Sequence, residues 1–258
     1  MQVSHDGAVA TVVLNNPAKG NSLSWQTKEQ LRDRLEEVAG DRGVRAVILT
    51  GAGRSFCVGQ DLGEHAEGLR LDRHAAFATI EKHYNPIVRS LATMPKPVLA
   101  AVNGLCVGAG LGFALACDLR IVGSGAKFAT AFTAIGLTCD SGLSATLARA
   151  VGSSRASELV LLGEAFTAAQ AAEWGIANQL VPDEELQDVT IRLARRLAAG
   201  PTLAYAEAKR ALAQGVAQPL VSVLEAEASA QARLGLTADH LSAVDAFLRK
   251  EAPQFVGG

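Results

Sequence analysis

The sequence predicts an α/β protein with a helical C-terminal region, and three observations carry that reading. Short β-branched runs alternate with amphipathic stretches from Val9 to about Val122, the order in which parallel sheets are built. Beyond Ser144 the periodicity is almost entirely helical, so the last part of the chain reads as a helical appendage. A length of 258 residues, 49% hydrophobic and 19% charged, is enough for one large domain with such an appendage.

Val9 to Leu14 is a strand closed by the turn cluster Asn15-Asn16-Pro17. A loop through Lys19, Gly20 and Asn21 follows. Ser22 or Ser24 can cap the next helix, whose Leu31, Leu35 and Val38 recur at helical spacing until Gly40. Val44 to Thr50 is the next buried strand. The Gly51-Ala52-Gly53 run after it lacks the third glycine of a dinucleotide fingerprint, because Phe56 stands there, and this argues against a nicotinamide-dependent enzyme. Ser55 to Leu62 is a small-residue loop with an acidic end. The polar segment from Glu64 to Arg73 has weak apolar periodicity and reads as a mobile loop over a pocket. His74 to Leu91 returns to helical spacing, with Pro86 kinking or restarting the helix.

The stretch from Pro95 to Asp118 organises the chain. Val98 to Val102 is a buried strand, Asn103-Gly104 a turn, and Gly108 to Gly112 a glycine-rich opening to an apolar helix. A helix that starts in glycines lets a ligand approach its unpaired N–H groups, with the positive end of the helix dipole behind them. Leu119 to Val122 and Lys127 to Thr130 are further strands. In the run Ile135 to Gly142, Asp140 is the one carboxylate among apolar and small residues. Ser153 and Ser154 precede a helix ending at Gly163, and Thr167 to Gln170 has the form of a capping box for a helix ending at Gly175. Ile176 to Val181 is a short strand. Three amphipathic segments complete the chain, over about 183–199, 201–214 and 220–249, the last broken near Gly235.

Composition narrows the function. A net charge of −2 without any long block of like charge argues against nucleic acid as a partner. No apolar run approaches the roughly 18 residues a membrane span needs, and the N-terminal segment has neither the basic flank nor the cleavage site of a signal peptide. The expected location is cytoplasmic. The four cysteines show no CxxC pair and the five histidines no ligand spacing, so neither a disulfide framework nor a metal site is expected.

Several segments in this order and spacing resemble the crotonase superfamily, the enoyl-CoA hydratase/isomerase fold. They are Leu14-Asn15-Asn16-Pro17 to Asn21-Ser22-Leu23, Phe56 to Leu62, Pro95-Lys96-Pro97 to Asn103-Gly104, the glycine run ending in Ala116-Cys117-Asp118-Leu119-Arg120, and Ala172-Glu173-Trp174-Gly175. The resemblance implies a spiral of ββα units over residues 1–195, which binds acyl-CoA and performs catalysis. It also implies a helical region over 196–258 that builds trimers, usually paired into hexamers. No separate cofactor is implied, since coenzyme A enters as part of the substrate.

Carried over residue by residue, the backbone N–H groups of Gln60 and Ala109 hold the thioester oxygen of an acyl-CoA. Preorganised donors there stabilise the enolate that forms when a proton leaves the α carbon. Lys19, Gly20 and Asn21, with Val58, Gly59, Asp61 and Leu62, fall on the CoA-binding segments, and Phe132 lies at the substrate. Hydratases of the superfamily use two glutamates, whose places are taken here by Gly112 and Phe132, neither of which transfers protons. Asp140 instead matches the aspartate of the isomerases that act on ring-epoxidised phenylacetyl-CoA and on dienoyl-CoA. Its competing reading is a cap for the helix that starts near Ser141. The same position is a nucleophile in aryl-CoA dehalogenases, which carry tryptophan where this chain has Phe132. His83 and Tyr84 border the acyl pocket, either as substrate contacts or as ordinary helix residues. The resemblance favours a double-bond or ring-epoxide acyl-CoA isomerase with one acid/base. An enoyl-CoA hydratase and a non-catalytic acyl-CoA-binding oligomer are the alternatives.

Overall fold

A computed structural model of the chain describes residues 1–258. Strands β1 (Gln2–Asp6) and β2 (Val9–Leu14) form a hairpin. Helix α1 (Trp25–Gly40) starts at Ser24, whose hydroxyl accepts from the Thr27 N–H, so Ser24 and not Ser22 is its cap. Three units of the same kind follow. The first is β3 (Ala46–Gly51) and β4 (Ser55–Cys57) with helices α2 (Leu62–Leu71), α3 (Arg73–Thr79) and α4 (Asn85–Thr93). The second is β5 (Val98–Val102), β6 (Leu105–Val107) and α5 (Ala109–Ala116). The third is β7 (Leu119–Gly123), β8 (Lys127–Ala129) and α6 (Leu143–Leu162). The chain ends with β9 (Phe166–Thr167), α7 (Ala168–Glu173), β10 (Gln179–Val181) and four helices, α8 (Leu186–Ala198), α9 (Thr202–Ala217), α10 (Leu220–Leu234) and α11 (Ala238–Arg249).

In each unit the first strand joins one sheet and the second joins another, which winds the chain into a spiral. The large sheet has the order β1-β2-β3-β5-β7-β10, and the small one β4-β6-β8-β9. Every pairing from β2 to β10 in the large sheet is parallel. Both faces of that sheet are covered, which is why its strands read as nearly continuous apolar runs. Val12, Leu14, Val47, Leu49, Ala100 and Val102 point into the main core. Val9, Ala46, Ile48, Leu99 and Ala101 form the opposite face, which α8 covers with Leu186, Ala194 and Ala198.

Several boundaries differ from those expected. The segment from Glu64 to Arg73 is not a loop: α2 occupies most of it, capped by Asp61, which accepts from the Glu64 N–H at 3.1 Å. No residue of α2 is buried, so there is no apolar stripe to reveal the helix. The strand expected from Ile176 begins only at Gln179, because the N–H groups of Ile176 and Ala177 both close onto the Ala171 carbonyl at the end of α7. The capping box at Thr167 and Gln170 is present. The expected break before Ser153 appears as Gly152, whose φ of 78° and ψ of 160° kink α6. Between α3 and α4 the chain makes a π-helical turn, Ile80–Tyr84, and Pro86, which has no N–H to give to the preceding turn, follows at the start of α4.

Helices α9 to α11 bury few side chains and leave Leu212, Val216, Leu220, Val221, Phe247 and Leu248 exposed. They are tied to the rest by Lys209, which donates to the carbonyls of Met94 and Lys96 at 3.0 Å each and pairs with Asp118 at 2.7 Å. No helix is long and apolar enough to cross a membrane.

Candidate active site

Strands β4 and β6 run parallel, with Cys57 opposite Cys106. The segments that leave them therefore turn side by side and set Gly59-Gln60 against Gly108-Ala109. A Cβ at Gly59 would lie 3.1 Å from the Val107 carbonyl oxygen and 3.5 Å from the Ala109 nitrogen, and its φ of 82° suits only glycine, so the sequence has to place glycine there. Gln60 faces Leu23 in a parallel bridge. That bridge is made by the Leu23 N–H on Gly59 at 2.8 Å and the Asp61 N–H on Leu23 at 3.3 Å, which leaves the Gln60 N–H without an acceptor. Ala109 opens α5, where N–H groups have no helical partner, and its own amide has no other acceptor in the chain. Two unpaired amides thus stand together, one with the positive end of a helix dipole behind it.

Asp140, the expected acid/base, sits beside the start of α5. It lies in a tight turn with Ser141 at φ 53° and Gly142 at φ 69°, packed against the first turn of α5. The contact is so close that a Cβ at Gly112 would fall 2.6 Å from the Ser141 Cβ and 2.9 Å from its carbonyl oxygen. Asp140 is not a helix cap: α6 begins at Leu143 after Gly142, and no side chain caps it. Its carboxylate accepts only from the Ser141 hydroxyl, at 2.8 Å. Burial raises its pKa above the usual carboxylate range, while the Ser141 hydrogen bond and the Lys28 charge pull it back down. Phe132, at the second hydratase position, is buried beside Gly108.

The expected CoA-binding segments meet as well. Val58 donates its N–H to the Gly20 carbonyl at 3.2 Å, joining the loop at 19–21 to the loop at 58–62. Asn21 is fully buried and works inside the chain, its amide donating to the carbonyls of Ala52 at 3.0 Å and Ser55 at 2.7 Å. Exposed Lys19 pairs with Asp61 at 3.1 Å. The Asp61 carboxylate is already engaged by the Glu64 N–H and by Lys19, which hold its pKa below the usual range. Leu62 is half exposed at the start of α2.

Lys28 and Trp25 were not singled out from the sequence, and they meet the expected pair His83 and Tyr84. Lys28 of α1 is 1% exposed, donates to Gln60 Oε1 at 3.3 Å, and lies 5.7 Å and 5.5 Å from the ring centres of Trp25 and Tyr84. Burial lowers its pKa, against the opposing charges of Glu64, Asp61 and Asp140. Trp25 stacks edge-on with buried His83 at 4.5 Å, and Glu64 accepts from the Trp25 N–H at 2.7 Å. Tyr84 is buried and donates its hydroxyl to the same Gln60 Oε1. Its pKa is pushed up by burial and then by the charge of Asp140. His83 is a satisfied interior residue bonded to Thr79 at 3.0 Å. A cavity of about 330 Å³ opens among Trp25, Lys28, Gln60, Glu64, Leu71 and Thr79. A larger groove, about 1210 Å³, lies between the far face of the large sheet and α8 and contains neither the amide pair nor Asp140.

A spiral of ββα units with a C-terminal helical region is the fold of the crotonase class of enzymes, and solved structures of that class superpose on the whole chain. A structure from Mycobacterium abscessus described as an enoyl-CoA hydratase/isomerase matches with a TM-score of 0.94 and 48% identity, covering 100% of both chains. The family described as Enoyl-CoA hydratase/isomerase matches residues 4–258, and the chain belongs to that family. Among its relatives, the 1,2-epoxyphenylacetyl-CoA isomerase of Escherichia coli K12 is 41% identical over 256 residues, 99% of this chain and 98% of that one. The 2,3-dehydroadipyl-CoA hydratase of the same organism is 34% identical over 255 residues, with the same coverage, 99% and 98%.

Proposed function

We propose that this acyl-CoA enzyme is an isomerase in which the Gln60 and Ala109 amides hold the thioester oxygen and Asp140 moves the proton. The Asp140 carboxylate takes a proton from the carbon α to the thioester. The electron pair moves into the carbonyl, and the oxyanion rests on the two amides. The same carboxyl then returns its proton to another carbon of the acyl group, so a 3-enoyl thioester becomes a 2-enoyl one with no net gain or loss. Each amide donor is worth ~3–4 kcal/mol of barrier, because it is fixed before the charge develops. The carrying observation is the packing of Ser141 on Gly112, which fills the place where a first hydratase acid would project and seats the Asp140 turn against the helix that opens with the Ala109 amide. The likeness to the epoxyphenylacetyl-CoA isomerase favours a ring epoxide as the acyl group.

Lys19, Gly20, Asn21, Val58, Gly59, Asp61 and Leu62 bind the CoA portion, mostly through backbone groups, since the side chains of Asn21 and Asp61 already have partners. Phe132 lines the acyl end. The region 196–258 assembles trimers or pairs of trimers through the apolar side chains it exposes. Asp140→Asn keeps the shape and an acceptor for Ser141, so it removes proton transfer alone. Turnover of 3-enoyl-CoA and ring-epoxide thioesters is expected to fall 10²- to 10⁴-fold, the usual range for a positioned acid/base. Undiminished turnover of both refutes the role.

A further inference from the structure

Lys28 is the buried ionisable group that the proposed chemistry does not use. We infer that it provides a hydrogen-bond donor site for an uncharged oxygen on the acyl group, close to the reacting carbons, and so selects oxygenated acyl thioesters over hydrocarbon ones. This rests on the reading of the protein as an acyl-CoA enzyme with the thioester at Gln60 and Ala109.

An ammonium with 1% exposure is rarely tolerated unless its donors are used. Lys28 has three donors and one acceptor, Gln60 Oε1 at 3.3 Å, which also takes the Tyr84 hydroxyl. Its other neighbours are two aromatic faces, and it has no carboxylate within ion-pair distance. Its side chain forms part of the wall of the 330 Å³ cavity, whose other wall residues include Gln60 and Glu64. The location follows from the same contacts. Gln60 presents its backbone amide at the thioester position and its side chain to Lys28, while the Lys28 charge reaches Asp140. An acyl group held at the Gln60 amide and extending into this cavity therefore passes Lys28. Glu64 lines the same cavity, so an acyl carboxylate there would meet a like charge. An epoxide, ether, hydroxyl or carbonyl oxygen meets none of that repulsion and supplies the missing acceptor.

The competing role is structural, with Lys28 only orienting Gln60. The two are separated by a ratio. Binding of phenylacetyl-CoA and of 2-hydroxyphenylacetyl-CoA, which differ by one oxygen on the ring carbon next to the side chain, is measured by calorimetry on the wild type and on Lys28→Met. The wild type is expected to bind the hydroxylated thioester at least fivefold tighter, and Lys28→Met to bring that ratio to within twofold of one. An unchanged ratio overturns the inference, whether both affinities fall together or neither falls, and so does a wild type without preference. Lys28→Leu, read in the same way, decides if Lys28→Met does not fold. A wild type that binds neither thioester overturns this inference, and the acyl-CoA reading falls with it only if an aliphatic 3-enoyl-CoA also fails to bind.

Discussion

Replacing Gly112 by alanine places one methyl group where the Asp140 turn already lies. The new Cβ would sit 2.6 Å from the Ser141 Cβ and 2.9 Å from the Ser141 carbonyl oxygen. Both are well inside van der Waals contact, and the second is backbone of a turn at φ 53° that has little room to retreat. Helix propensity favours alanine by about 1 kcal/mol, while forced overpacking of this kind costs about 1–3 kcal/mol. The net expectation is a loss of up to about 2 kcal/mol, which for a chain of this size lowers Tm by up to roughly 4–8 °C. Turnover should fall about tenfold or more, because Asp140 is carried on the displaced turn and small misplacements are costly in catalysis. Thermal unfolding at fixed protein concentration, alongside kcat on a 3-enoyl thioester, measures both effects. Adding Ser141→Gly removes the shorter contact and should restore part of the stability, a coupling readable from the double-mutant cycle. A Gly112→Ala protein as stable and as active as the wild type refutes the packing argument. So does a Gly112→Glu protein that gains water addition to 2-enoyl-CoA, since the space for an acid would then be free.

Two further outcomes follow from the structure. The proposed base, Asp140, can work only when ionised, and burial raises its pKa, so kcat/KM should climb with pH through a value above the ordinary carboxylate range of about 4. A raised folded-state pKa favours the protonated form: its stabilising effect is complete below the unfolded pKa and is lost as pH rises through the folded one. Asp140→Asn should therefore unfold at a higher temperature than wild type at pH 7 but not at pH 3, and equal shifts at both pH values argue against a buried charge. In light scattering the wild type should have the mass of a trimer or hexamer, and Leu220→Asp together with Phe247→Asp should lower it; a monomeric wild type removes the assigned role of α9 to α11.

The parts of the fold and site that depend on backbone were legible in the sequence. The glycines at 59 and 108 to 112 mark the two segments that meet, and they do so because close approach leaves no room for a side chain. Asp140 stood out as a lone carboxylate among small residues. The helix over 62–71 was not legible by periodicity, because it buries nothing, yet Asp61 with Glu64 three residues later was a capping signature that could have found it. Lys28 had a signal too. It falls on the same stripe as Leu31, Leu35 and Val38, and a lysine on the core face of an amphipathic helix is a position that needs a partner. What single residues could not announce was which side chains share Gln60, since Lys28 and Tyr84 come from segments more than fifty residues apart.

The π-turn at Ile80–Tyr84 gives the chain one residue more than an α-helical path of the same shape would use. His83 and Tyr84 lie in this wider turn, and both are buried, His83 against Trp25 and Tyr84 against Gln60. Shortening this turn by one residue would give a more regular helix and would rotate the side chains that follow it away from their present partners. The irregularity is thus a reading-frame device. A single extra residue fixes the phase between two helices, and with it the position of the Tyr84 hydroxyl that holds the Gln60 side chain.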